Sequence, residues 1–378
     1  MYIDCMIMVM AASEMAEGSS LSLAIAFAIP LTLFRIGSSV GSAVTSVLIG
    51  AFGEKKMGIG SSVITVVSFL GMAACVATKN IYLFSALKFV EGVFLESILF
   101  SISEGIPYEL EDEERRNRKI LESQSATQAA ILTAIMTAGI ISEYLSFTAM
   151  YFFCGILALV LIPMSFWILV ENNEEEEGIN TLKVWKFFFK PRTLLYILFI
   201  VLVLSLVYGY DGYIFPLIAE NSGLSGMMLS SIGVLISALG YFGEGILALF
   251  KGQTPIRAMV LAFTGIGVGF LLVVIKPSVI IAVLALVILT VFGRVIDNYR
   301  IVCMIDICDS DGIDDKDIQE NYYALEDSFQ ILHGPVLGGL SEISTGVAVA
   351  FLAGLSLIAP RLYQLLQRKK GGHTGTSS

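Results

Sequence analysis

Long apolar runs broken by short polar stretches set the plan of this chain. Apolar stretches lie at 21–51, 57–78, 81–106, 121–145 and 148–170. A second set lies at 193–219, 226–250, 257–275, 278–303, 321–341 and 344–366. A bilayer core takes about 20 apolar residues to cross as a helix. Helices are also the only open-ended structure that satisfies its own backbone in lipid. Residues 1–12 are apolar but too short to cross, and they lack the basic start of a signal peptide. They read as the outer end of a first helix whose beginning is absent, followed by a loop from Ser13 to Ser20. The pattern predicts an all-α membrane protein with about twelve transmembrane helices, the first incomplete.

A polar stretch at 171–192 divides the runs into two sets. It carries Glu174 to Glu177, then an amphipathic segment from Thr181 to Lys190 with Lys183, Lys186 and Lys190. The expected organisation is a six-helix bundle over 1–170, a cytoplasmic linker over 171–192, and a second six-helix bundle over 193–378 with a short cytoplasmic tail. Weak echoes relate the halves. Glu91-Gly92 and Glu96 match Phe292-Gly293 and Asp297 at a fixed offset, and Thr137-Ala138-Gly139 sits where Gly334-Pro335 sits in the other half.

Composition strengthens the membrane reading. The 378 residues are 56% hydrophobic and 15% charged, well below the quarter or so that soluble domains carry. The net charge of −10 comes from acidic loops, chiefly Glu174 to Glu177 and Asp306 to Asp317. Nucleic acid, which needs a basic surface, is excluded as a partner. Cys5, Cys75, Cys154, Cys303 and Cys308 are scattered through apolar segments. They form no metal-ligand spacing and read as small apolar residues. Neither a metal nor a cofactor is implied.

Basic residues set the orientation. Lys55 and Lys56, then Arg115 to Lys119, then Lys183 to Arg192, Lys251 with Arg257, and Arg368 to Lys370 fall in alternate loops. The opposite loops carry Lys79 and Lys276. The basic side is cytoplasmic and includes the C-terminus. The acidic loop from Asp306 falls on that side too, and acidic residues weigh little in this rule. A multi-pass plasma or inner membrane protein is expected.

Charges inside the apolar runs need a reason. Lys88-Phe89-Val90-Glu91-Gly92 opens a stretch that leaves the membrane through Ser103 to Pro107 into a charged loop, Glu109 to Arg118. This pattern resembles the Arg-x-x-Gln-Gly of the fourth helix in the major facilitator superfamily (MFS), with lysine in place of arginine. The two-half, twelve-span layout resembles that family over nearly the whole chain. The family's loop after the second span usually reads Gly-x-x-x-Asp-x-x-Gly-Arg-Lys. Here Ser46 to Lys56 keeps Gly53 with Lys55 and Lys56, but has serine for the first glycine and Gly50 for the aspartate. That aspartate latches the cytoplasmic gate in the family, so the resemblance implies a gate that is altered or moved. A Gly-Pro-x-x-Gly-Gly pattern marks the fifth helix of many proton-coupled drug exporters. Here it stands in the eleventh span, as Gly334-Pro335-Val336-Leu337-Gly338-Gly339. Small residues let helices approach and proline bends them. Gly50, Gly53, Lys55, Lys56, Gly92, Gly334 and Pro335 are therefore the expected gating and hinge residues.

The resemblance implies a fold of two six-helix bundles related by a pseudo-two-fold axis, with the first, fourth, seventh and tenth helices lining a cavity. The residues so placed are Asp4; Lys88, Glu91 and Glu96; Tyr208, Tyr210, Asp211 and Tyr213; and Arg294 with Asp297. Lys88 and Glu91, like Arg294 and Asp297, are three apart and can meet on one helix face. Each pair reads either as part of the solute path or as an ion pair that neutralises buried charge. Asp211 lies in Tyr208-Gly209-Tyr210-Asp211-Gly212-Tyr213, a patch suited to a cationic or aromatic solute or, near the span's outer end, to an interfacial belt. Glu122, Gln124 and Gln128 open the fifth span, Glu244 lies mid-span in the eighth, and Glu326, Asp327 and Gln330 lie in the eleventh. Arg35 calls for a carboxylate from another helix. His333, beside Gly334, reads as a packing residue before a proton relay.

Together these features point to a secondary active transporter working by alternating access as a monomer. It would be coupled to protons through Asp211, Glu244 or Glu91, and would export a cationic or amphipathic compound. The alternative is a transporter-like sensor or scaffold domain, part of a longer polypeptide. No nucleophile elbow, metal cluster or phosphate-binding loop supports an enzyme. The acidic stretch Asp309 to Asp317 lacks the spacing of a calcium loop.

Overall fold

The structure is a computed structural model of all 378 residues. It describes residues 2–17, 20–105, 130, 132–168, 186–311, 322 and 325–371. The loop from Glu109 to Arg118, Glu122, Gln124, Gln128, the linker over 171–185 and the acidic residues of 312–317 lie outside the described residues.

Every regular element among the described residues is helical. Helices α1 (Tyr2–Ala16), α2 (Leu23–Phe52), α3 (Glu54–Ala77) and α4 (Ile81–Gly105) come first. They are followed by α5 (132–144), α6 (Phe147–Ala158) and α7 (Leu161–Ile168). Then come α8 (Pro191–Asn221), α9 (Gly226–Leu247), α10 (Pro255–Ile275), α11 (Val279–Asp311), α12 (325–343) and α13 (Thr345–Gly371). Seven helical stretches among the described residues are long and apolar enough to cross a membrane.

Local chemistry sets the ends. Ser22 caps α2 by accepting a hydrogen bond from Ile25 N at 3.3 Å, and Ser146 caps α6 in the same way from Ala149 N at 3.0 Å. These hydroxyls satisfy amides that the first turn leaves without partners. Gly53, at φ 82, makes the turn between α2 and α3, a conformation that costs glycine little.

Contacts divide the chain into two compact units. The first is Met1–Glu177 with Gly223–Val234; the second is Gly178–Ser222 with Leu235–Ser378. The start of α9 belongs with the first unit because it lies hard against α5. A Cβ on Gly139 would stand 2.2 Å from Ser230 Oγ.

In the first unit α2 packs on α4 at backbone distance. A Cβ on Gly37 would sit 2.2 Å from Phe89 O, one on Gly41 2.5 Å from Val93 O, and one on Gly92 2.3 Å from Phe34 O. Lipid tails are as apolar as leucine, so helices in a bilayer associate through such close packing and not through exclusion of water. In the second unit Phe263, Ile266 and Phe270 of α10 are fully buried, with Leu286 and Leu289 of α11 and Leu352 of α13.

Two boundaries differ from the sequence expectation. Helix α1 runs to Ala16, four residues past the expected break, because Met15 is buried. Helix α11 runs to Asp311, so Asp306 and Asp309 lie on its last turns and not in a loop. Ile307 and Cys308 are buried there, giving those turns an apolar face that holds them.

Candidate functional site

In the first unit Lys88 and Glu91 stand one turn apart on α4, with Nζ and Oε2 at 2.8 Å. They are 0% and 1% exposed. Three rings surround the ammonium: Phe34 of α2 at 5.7 Å, Phe84 of α4 at 5.8 Å and Tyr151 of α6 at 5.5 Å. Phe84 and Tyr151 meet edge to face, with centroids 5.3 Å apart. The carboxylate and the ring faces together stabilise a charge that lipid would not hold alone. The pair is thus enclosed in the unit, and neither charge reaches solvent. Gly92 is part of the α2–α4 contact. Arg35 is also buried; its guanidinium lies 5.9 Å from the Phe34 ring, and no described carboxylate forms an ion pair with it.

In the second unit charged and hydroxyl side chains join α8, α11 and α12. Tyr208 Oη donates to Asp297 Oδ2 at 2.7 Å. Arg300 Nε lies 3.1 Å from Asp297 Oδ1. Arg300 also donates to Glu326 of α12, and its guanidinium lies 5.8 Å from the Tyr322 ring. Tyr196 Oη donates to the Arg300 carbonyl at 2.6 Å. Gly293, one turn before Asp297, makes room for the tyrosine: a Cβ there would stand 2.9 Å from Tyr208 Oη. The partner holding Asp297 is therefore Arg300, one turn onward. Arg294, one turn back, is exposed. Arg300 escaped the sequence reading, although Asp297-Asn298-Tyr299-Arg300 repeats the three-residue spacing of Arg294 and Asp297.

The tyrosine patch around Asp211 separates into two faces. Tyr210 and Tyr213 are 0% exposed and turn into the unit; Tyr210 donates to the Ala282 carbonyl at 3.0 Å and packs on Phe270 at 4.7 Å. Tyr208 and Asp211 are partly exposed and share the other face, three residues apart. A π-helical turn, Tyr210–Ile214, carries Asp211. Pro216 follows it and has no N–H to give to the turn below, which loosens the ladder there. Asp211 Oδ1 is buried and accepts no hydrogen bond among the described residues.

The other expected site residues are spread out. Asp4, Glu96 and Glu244 take positions on α1, α4 and α9, and their side chains lie outside what the structure describes. Gln330 Nε2 donates to Asp327 Oδ1 at 2.9 Å. Gly50 is exposed near the end of α2, with nothing within 4 Å of a Cβ placed on it. Lys55 lies 4.5 Å over the Phe166 ring of α7, and Lys56 is exposed. Gly334 is buried and Pro335 exposed within another π-helical turn, His333–Gly338. At the opposite end of α3 from Lys55, Lys79 Nζ bonds Glu17 Oε2 at 2.9 Å. This hydrogen bond, the Glu17 charge and, less strongly, Glu14 hold the Lys79 ammonium above its ordinary pKa.

Comparison with known proteins agrees with this architecture. No curated protein matches the sequence. Among solved structures, a single-residue mutant of the nucleoside transporter NupG is similar with a TM-score of 0.77 at 12% identity, covering 97% of this chain and 96% of that one. The NupG structure without that change gives 0.73 at 12% identity, with 97% of each chain covered. The human organic anion transporter MFSD10 gives 0.63 at 12% identity, with 96% of each covered. At such identity the likeness is one of fold. The sequence itself matches the Major Facilitator Superfamily over residues 1–302, well over half its length. The chain belongs to the major facilitator superfamily, as a multi-pass membrane protein of the secondary-transporter fold.

Proposed function

We propose that this transporter couples the movement of a cationic or amphipathic solute to protons by alternating access, in the direction of export, with Asp211 as the coupling carboxylate. The observation that carries the reading is the contrast among buried acids. Glu91 is paired with Lys88, and Asp297 and Glu326 share Arg300. Asp211 has no ion-pair partner among the described residues, and its enclosed Oδ1 accepts no hydrogen bond from them. A carboxylate in that setting is neutralised by a proton or by a cation, and exchange between the two is proton-coupled transport. Asp297 and Glu326 outnumber the Arg300 they share, and Asp211 adds a third acid to the same unit, which favours a positively charged solute. The basic ends of the spans favour a cytoplasmic C-terminus in the cell membrane.

The test is flux in proteoliposomes holding the full chain under an imposed pH gradient. The solutes are a panel of organic cations, with nucleosides and organic anions as comparators. Gradient-driven movement of a cation, abolished by Asp211→Asn, is expected. Flux that survives both collapse of the gradient and Asp211→Asn overturns the proton-coupled reading. Flux of the anions alone overturns the solute class.

A further inference from the structure

Two of the π-helical turns of the second unit pack against each other. One, Tyr210–Ile214 in α8, carries Asp211; the other, His333–Gly338 in α12, contains Pro335. His333 is 2% exposed, and its Nε2 lies 2.7 Å from the Ser205 carbonyl of α8, one turn before Tyr210. A carbonyl only accepts, so Nε2 carries the proton in this bond. Gly209 is the residue that lets the helices close. A Cβ there would stand 2.4 Å from Leu337 Cδ1 and 3.0 Å from His333 Cδ2. A π-turn spends backbone hydrogen bonding to place one side chain off the regular helical register. It persists only if its neighbours hold it.

We propose that His333 and Gly209 are positioning residues for Asp211: the imidazole pins the α8 backbone just before the π-turn, and the missing side chain at 209 lets α12 brace it. The part this plays in transport rests on the reading of Asp211 as the coupling carboxylate; the bracing itself does not. Neither residue touches the solute in this scheme. They act through the path of α8 alone. The role is distinct from helix packing in general, because it concentrates on the turn that bears the carboxylate.

Amide hydrogen exchange on the full chain in lipid nanodiscs tests this without knowledge of the solute. His333→Leu keeps the bulk and removes the donor. It is expected to speed exchange in peptides spanning 205–217 about fivefold, the size expected for one net hydrogen bond. Peptides from α10 are expected not to change. His333→Gln restores an N–H donor and is expected to return exchange to within about twofold of the native chain. Gly209→Ala leaves the imidazole in place and crowds it, so the same local acceleration is expected if His333→Leu fails to fold. Unchanged exchange at 205–217 in both His333→Leu and Gly209→Ala overturns the proposal, as does an equal rise throughout the second unit. Where exchange responds and proton-driven flux does not, the bracing stands and the assignment of Asp211 to coupling falls.

Discussion

Tyr208 and Asp297 join α8 to α11 through a 2.7 Å hydrogen bond that depends on a third residue with no side chain. Gly293 lies where a Cβ would meet the Tyr208 hydroxyl at 2.9 Å. Asp297 thereby has one oxygen held from α8 and the other from Arg300 on its own helix.

This arrangement makes the effects of Tyr208→Phe and Gly293→Ala interdependent. Each is expected to destabilise the protein by about 1–2 kcal/mol, the cost of removing one hydrogen bond inside a membrane protein. The double variant is expected to lose less than the sum, because alanine at 293 mainly displaces a hydroxyl that phenylalanine lacks. Thermal unfolding in detergent measures this. Strict additivity would mean that Gly293 does not act through Tyr208.

Lys88 and Glu91 should behave as a neutral unit. Removing either alone leaves a buried charge without its partner, at a cost of about 3–5 kcal/mol. Replacing both by methionine is expected to restore most of that stability. Size-exclusion profiles and unfolding midpoints of Lys88→Met, Glu91→Met and the pair distinguish the outcomes. If the double variant also transports, the pair neutralises charge within the first unit and lies off the solute path.

The α2–α4 contact has no slack. Gly37→Ala or Gly41→Ala drives a methyl group into the carbonyl of Phe89 or Val93. Overpacking of this kind costs about 1–3 kcal/mol or more, since backbone has to move. Gly50→Ala, with nothing within 4 Å of the new atom and a helical backbone that favours alanine, is expected to leave the unfolding midpoint at or slightly above that of the native chain. Comparison of the three variants in one detergent checks the contrast.

The exposed Lys79–Glu17 bond gives a weak pH signature. The folded-state pKa of Lys79 is raised above 10.5 by its partner. Any stability it contributes is therefore fully present below the unfolded value and lost as pH rises through the folded one. Lys79→Ala is expected to lower the unfolding midpoint slightly and equally at pH 6 and pH 8. The difference from the native chain is expected to vanish well above pH 10.5. A difference that instead grows between pH 8 and the lysine range would contradict the pairing.

The spans were legible in the sequence for a simple reason. Lipid offers no partner to backbone amides, so each crossing must declare itself as a long apolar run. Pro191–Asn221 and Pro255–Ile275 lie within two residues of the runs expected at 193–219 and 257–275. The pairing of Lys88 with Glu91 was legible too, because one helix sets their spacing. The family followed from the same local text, the fourth-span pattern and the layout of the runs.

What lay beyond the sequence is what passes between helices. That Arg300 joins Asp297 to Glu326, that Gly293 receives Tyr208, and that Gly92 serves a contact with α2 depend on which helical faces meet. The apolar runs are hydrophobic on all sides and carry no record of facing. The tyrosines around Asp211 show the limit most plainly. They stand as one cluster in the sequence, yet the winding of the helix sends Tyr210 and Tyr213 into the unit and leaves Tyr208 on the face of Asp211. The order of residues dictates where the chain crosses and which charges it carries. Packing decides which of those charges are neutralised inside a unit, and which carboxylate is left with neither an ion pair nor a hydrogen bond to its buried oxygen among the described residues.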